Sequence, residues 1–281
     1  MTGEQIQIAP ANTGQFRLWD GEHGAYWAEH ADRYDASYAA YQPAVLAAAA
    51  VRAGEYVLDV GCGTGQVAMD LVRSTPGVSA RGVDLSAEQV NVARHRATGL
   101  DVDFAQVDAQ VHDFGQAVFD LVVSRTGTMF FSDQGAAFTN LARATRPGGR
   151  LVLFVWRGVQ DNEWLREITG ALTAGRDLPP MPPGSPGPFS QSDPDAVTGM
   201  LHAAGWDDVT FQPLDQPMYF GTDADDATTF LVGQSEFLLQ SAADQQRARA
   251  IDNLHRVMKA HESEDGVRLG SGAWLITARR R

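Results

Sequence analysis

Between residues 51 and 156, short apolar runs alternate with stretches of helical periodicity. YVLDV (56–60), SARGVDL (79–85), VDFAQVD (102–108), FDLVVS (119–124) and RLVLFVW (150–156) are rich in Val and Leu. That is the pattern of strands buried on both faces of a parallel sheet. After Gly65, the residues Val67, Ala68, Leu71 and Val72 form one apolar stripe. Ser86 with Gln89 predicts a capping box for a helix running to about Ala97. Phe138, Leu141 and Ala142 face inward before RPGG (146–149), whose Pro and Gly stop a helix. Alternation of this kind predicts an α/β fold built on a doubly wound, mostly parallel sheet.

The flanks differ. Residues 1–50 read as a helical cap, with Pro43 suited to a first turn. Residues 162–174 read as a helix with Trp164, Leu165, Ile168 and Leu172 on one side. Six prolines between 179 and 188 predict an irregular loop, and Asp193-Pro194 starts a helix that Gly205 ends. DVTFQP (208–213) and AWLITAR (273–279) read as two late strands, with helical material at about 223–261. The chain thus divides into the cap 1–50, a core 51–156, and a region 157–281 of cap helices, Pro-rich loop and last two strands.

LDVGCGTG (58–65) ends a predicted strand and opens a helix. Glycine lets backbone approach a ligand, and a helix N-terminus offers free N–H groups. Asp84 closes the second strand, 19 residues after Gly65. A carboxylate there accepts hydrogen bonds from both ribose hydroxyls of a nucleoside. Asp108, after the third strand, adds a polar group on the same edge, where open α/β sheets bind their ligands.

LDVGCGTG, GVDLS, QVDAQ, FDLVVSR and RPGGRLVLFVW, in that order, resemble the motifs of class I S-adenosylmethionine-dependent methyltransferases. The nearest likeness is to the group that includes the ubiquinone and menaquinone C-methyltransferases. The resemblance covers about 51–156 and implies a seven-stranded, Rossmann-like sheet completed by the two late strands. It also implies that S-adenosylmethionine is the cofactor. Asp59, Gly61 and Gly63 match positions around its methionine part. Asp84 matches the ribose acid, with Leu85 beside the adenine. Asp108 matches the acceptor of the adenine amine and Ala109 the backbone facing the ring. Ser124 matches the position whose carbonyl holds the methionine amino group. An N-terminal helix covers the cofactor in similar enzymes, which places Trp27 and Tyr34 at the pocket rim. For Asp84 and Asp108 the simpler role is to cap the helices that follow.

A dinucleotide-dependent dehydrogenase fits less well. Its G-x-G-x-x-G needs the third glycine one residue later than Gly65, and Lys259, the single lysine, leaves no Ser-Tyr-Lys set. The same count removes a P-loop and confines any Schiff base to Lys259, in a polar helical stretch.

Trp27, Tyr34, Tyr38 and Tyr41 recur at spacings of 7, 4 and 3, on one side of a predicted helix. They either pack the core or close over the site, where an aromatic face stabilises a desolvated sulfonium by up to ~2 kcal/mol. Methyl transfer depends mainly on positioning, and a base is needed only where the acceptor carries a proton. His23, His30, Glu29 and Asp20 are candidate bases, or an exposed polar face. Arg125 either holds a carboxylate bidentately or pairs with a structural acid such as Asp133. The acceptor is expected to be a small molecule or small peptide; its identity, the methylated atom and the oligomeric state stay open. A protein that binds the cofactor without transferring methyl, a cyclase or a regulatory subunit, is the alternative.

Charge sharpens the picture. The 22 basic and 35 acidic side chains leave a net −13, which argues against nucleic acid. Residues 177–244 contain 11 acids and no Lys or Arg. That stretch is either solvated surface or a lid over the acceptor whose field favours cations. Cys62, the one cysteine, sits where the glycine turn needs a small residue. No histidine spacing suits a metal, so none is expected. The start has no basic-then-apolar leader and the longest apolar runs are far short of ~20 residues, so a cytoplasmic protein without a membrane partner is expected.

Overall fold

The computed structural model describes residues 6–176, 184–240 and 242–281. Eight strands make one sheet: β1 Tyr56–Val60, β2 Ser79–Asp84, β3 Val102–Gln106, β4 Phe119–Arg125, β5 Thr145–Trp156, β6 Trp206–Gly221, β7 Glu262–Ser263 and β8 Gly266–Arg280. Their order is β3-β2-β1-β4-β5-β8-β6, with β7 beside β8. The first five strands run parallel, and β8 lies antiparallel between β5 and β6. Strand order reverses between β1 and β4, which opens a crevice at their carboxyl ends. Val57, Leu58, Val122 and Leu151 fill the sheet centre and are fully buried, which accounts for the apolar runs.

Two expectations need correction. The seven-stranded sheet gains β7, a two-residue strand too short and too polar for periodicity to reveal. The late strands are also longer than 208–213 and 273–279, pairing from Trp206↔Arg280 to Gly221↔Val267. β6 runs through Pro213 and Pro217 because it is an edge strand, where a missing N–H is tolerated. RPGG still turns: Gly148 has φ 76°, and pairing with β4 jumps from Thr145 to Arg150.

The N-terminal segment is helical at 13–19, 22–29, 31–38 and 42–49, with Pro43 in a first turn. The single aromatic helix does not form, because the chain breaks at His30. Helices follow at Gln66–Ser74, Ala87–Arg96, Gln134–Ala144, Glu163–Thr173 and Pro194–Ala203. Ala224–Gln234, Glu236–Leu239 and Asp244–Ala260 divide the helical material read at 223–261. Ser86 Oγ accepts the Gln89 N–H at 3.4 Å, half of the expected capping box. Asp193 caps the helix that Pro194 opens. Of the Pro-rich loop, 177–183 lies outside the described residues.

The cap is fastened to both halves of the chain. Asp20 accepts from the Ala87 N–H and Gln106 Nε2, Ser37 Oγ donates to the Tyr219 carbonyl, and Arg33 donates to the Phe220 carbonyl. Among the described residues no helix is long and apolar enough to cross a membrane.

Candidate functional site

A cavity of about 560 Å³ opens where β1, β2, β3 and β4 end, beneath the N-terminal helices. Asp59, Gly61 and Gly63 lie on its wall with Asp84, Leu85, Asp108 and Ala109. The glycine turn is necessarily side-chain free. Gly61 and Gly63 have φ of 65° and 55°, in the left-handed region. A Cβ on Gly61 would also stand 2.6 Å from the Gly127 Cα.

Asp84 organises this turn. Its Oδ2 accepts the Gly63 N–H and its Oδ1 the Ser86 N–H, each at 2.9 Å. One lone pair on each oxygen remains, and burial raises its pKa. Asp59 is 1% exposed; its Oδ2 accepts the Ala68 N–H at 3.1 Å, while Oδ1 has no hydrogen-bond partner among the described residues. Burial pushes this carboxyl up to about 7, Arg125 opposing and Asp84 reinforcing the shift. The unpartnered oxygen leaves one hydrogen-bonding position unfilled beside the glycine turn.

Asp108 is more committed. It accepts the Ala9 N–H, Asn12 Nδ2 and the Gln110 N–H, each at 3.0 Å, and so pins the N-terminal segment over the cavity. Asn12, which the sequence reading passed over, also lines the cavity.

Trp27 and Tyr34 reach the wall by an unexpected route. Their rings stack across the break at His30, with centroids 3.5 Å apart and planes 6° apart. Trp27 Nε1 and the Tyr34 hydroxyl are buried without partners among the described residues. Tyr34 is only 6% exposed, and burial drives its pKa upward.

The Ser124 side chain lies in the core. It does not line the cavity; it is fully buried, its Oγ donating to the Val60 carbonyl at 2.6 Å. β4 runs one residue further than predicted, so Arg125, Thr126 and Gly127 reach the wall instead. Thr126 turns the chain at φ 63°.

The candidate bases separate. His23 lines the cavity, edge-on to Trp19 at 4.9 Å, and burial lowers its pKa below 6.5. His30 stacks on Tyr26 at 4.0 Å and is absent from the wall, as are Asp20 and the exposed Glu29. Arg125 lines the cavity, but its acid partner is Asp35 at 3.4 Å; Asp133 instead caps the helix Gln134–Ala144. Arg125 also donates to Gln42 Oε1 and lies over the Tyr38 ring. The Cys62 thiol is raised well above its ordinary value by burial, which disfavours the thiolate.

Residues 57–149 match the methyltransferase domain family. The 27-O-demethylrifamycin SV methyltransferase of Amycolatopsis mediterranei is 30% identical over 142 residues, 49% of this chain and 52% of that one. A Bacillus YcgJ protein superposes with a TM-score of 0.58 at 20% identity, over 86% of this chain and 99% of that one. The cyclase SpnF gives a TM-score of 0.54 at 19% identity, over 100% of this chain and 99% of that one. At these identities the two structures share the fold. Residues 57–149 thus carry a methyltransferase domain. The chain spans about half the length of the curated relatives it matches.

Proposed function

We propose that the protein transfers the methyl group of S-adenosylmethionine to a small-molecule acceptor. The observation that carries this reading is the convergence of the glycine turn, Asp84 and the orphaned Asp59 Oδ1 on one cavity. These residues fit the cofactor. The glycine turn leaves a cradle that a Cβ would fill, Asp84 keeps two lone pairs for ribose hydroxyls, and Asp59 keeps one oxygen for the methionine end. Leu85 and Ala109 would flank the adenine, while Asp108 holds the N-terminal segment over the cavity. When bound, S-adenosylmethionine supplies a methyl group already activated as a sulfonium.

The chain's own part is positioning, exclusion of water and removal of a proton. Trp27 and Tyr34, stacked on each other, close one wall with their aromatic rings. His23, neutral at pH 7 because burial disfavours its cation, takes the proton of a hydroxyl acceptor. The name of the rifamycin-modifying relative supports a small-molecule acceptor and a methylated oxygen. Incubation with methyl-labelled S-adenosylmethionine and a cell extract tests the reading. Label in a low-molecular-weight product is the expected result. Label confined to protein, or no transfer while the cofactor still binds, would contradict it.

A further inference from the structure

The cavity extends beyond the glycine turn into a compartment walled by the C-terminal half of the chain. Trp156, Trp164, Ile168, Met218, Phe220 and Phe230 form much of that wall. From Trp156 onward no described lining residue is charged; Thr169, Gln234 and Ser235 are the polar side chains there. Asp35, Asp59, Asp84, Asp108 and Arg125, the charged lining residues, all come from the first 125 positions.

This sorting is informative because the same half contains the acidic stretch. Four of its acids form ion pairs outside the cavity: Asp226 with Arg33, Glu236 with Arg247, Asp215 with Arg157 and Asp207 with Arg281. Asp193 and Asp223 cap helices. The described part of the stretch therefore faces the cavity with mainly apolar side chains, such as Met218, Phe220 and Phe230. The apolar surface also continues to the rim. Leu18 and Phe237 line the cavity and are 43% and 64% exposed.

We propose that this compartment takes the acceptor as an uncharged, predominantly apolar ring compound, and rejects amines, carboxylates and phosphorylated metabolites. The proposal rests on the methyltransferase reading for the word acceptor, and on the lining alone for the chemistry. An ion entering here loses its hydration, and the charged groups that adjoin this wall, Arg125 and Asp35, are already paired with each other. A neutral ring system meets aromatic faces and edges.

Three probes with one ring skeleton test it: 2-naphthol, 2-naphthoate and 2-naphthylmethylammonium, followed by tryptophan fluorescence with and without S-adenosylhomocysteine. The naphthol should bind at least tenfold more tightly than either ion. Thr169→Asp, which puts a carboxylate on the apolar wall, should shift the preference toward the ammonium probe by at least tenfold. Thr169→Lys should do the same for the naphthoate. Equal binding of the three probes, preference for an ion in the unaltered protein, or no naphthol binding would overturn the proposal. S-adenosylhomocysteine is titrated separately. Its binding without the naphthol preference defeats the compartment alone, whereas its failure to bind defeats the methyltransferase reading.

Discussion

Asp35 Oδ2 lies 2.5 Å from Arg96 Nη2, and this pair joins the cap helix Ala31–Tyr38 to the glycine turn. Arg96 also donates to the Thr64 carbonyl, Thr64 Oγ1 and Gln66 Oε1, so one guanidinium braces the turn and the cap together. Arg125 approaches the other carboxylate oxygen at 3.4 Å. Asp35→Asn would leave two half-buried cations facing each other. With allowance for solvent screening, the cost is about 1–2 kcal/mol. Thermal unfolding should therefore fall by several degrees, roughly 2–4 °C per kcal/mol for a protein of this size. S-adenosylhomocysteine should bind more weakly as well. Unchanged affinity in calorimetry would show that the brace does not shape the site.

The pH dependence of turnover should follow His23. Its pKa is held below 6.5 by burial, so the neutral base is present at pH 7 and is lost as pH falls through its titration. With a hydroxyl acceptor, kcat/KM should be level above pH 6.5 and decline on the acid side. His23→Ala should lower kcat by about 10²–10⁴-fold and abolish that acid limb. A variant that keeps both its rate and its pH profile would assign proton removal elsewhere.

Much of the cofactor half was legible because its local rules act over a few residues. Leu58 to Gly65 encode a strand, a turn and a helix start in one octapeptide, and Asp84 and Ser86 follow the same logic at β2. The rest depends on long-range packing. Nothing local says that β6 passes through Pro213 and Pro217, since that requires knowing it is an edge strand. The seven-residue spacing of Trp27 and Tyr34 implied a continuous helix, yet their stacking survives a break because the chain resumes its helix at once. The length of β4 decides that the Arg125 side chain reaches the crevice while the Ser124 side chain stays in the core, and no local pattern marks where that strand ends. Asp35 meets Arg96 across 61 residues of sequence, with no pattern to mark the pair.

Asp59 makes a separate prediction about stability. Its pKa rises from the ordinary 3.8 to about 7 in the folded protein, so the folded state binds a proton that the unfolded state releases. Stability should consequently fall as pH rises between about 4 and 7, and the ionised group should be a liability at pH 8. Asp59→Asn should raise the melting temperature by several degrees at pH 8 and change it little at pH 5. An equal shift at both pH values would mean that the carboxyl is ionised throughout.

The most direct measurement is calorimetric titration of S-adenosylhomocysteine into the unaltered protein and into Asp84→Ala. The account places the ligand's ribose on this carboxylate, so one saturable site per chain is expected. Two lost hydrogen bonds to a charged acceptor, at ~1.5–3 kcal/mol each as an upper range, should weaken binding at least tenfold in the variant. No heat of binding in the unaltered protein would contradict the central claim. Equal affinity in Asp84→Ala would place the ligand elsewhere.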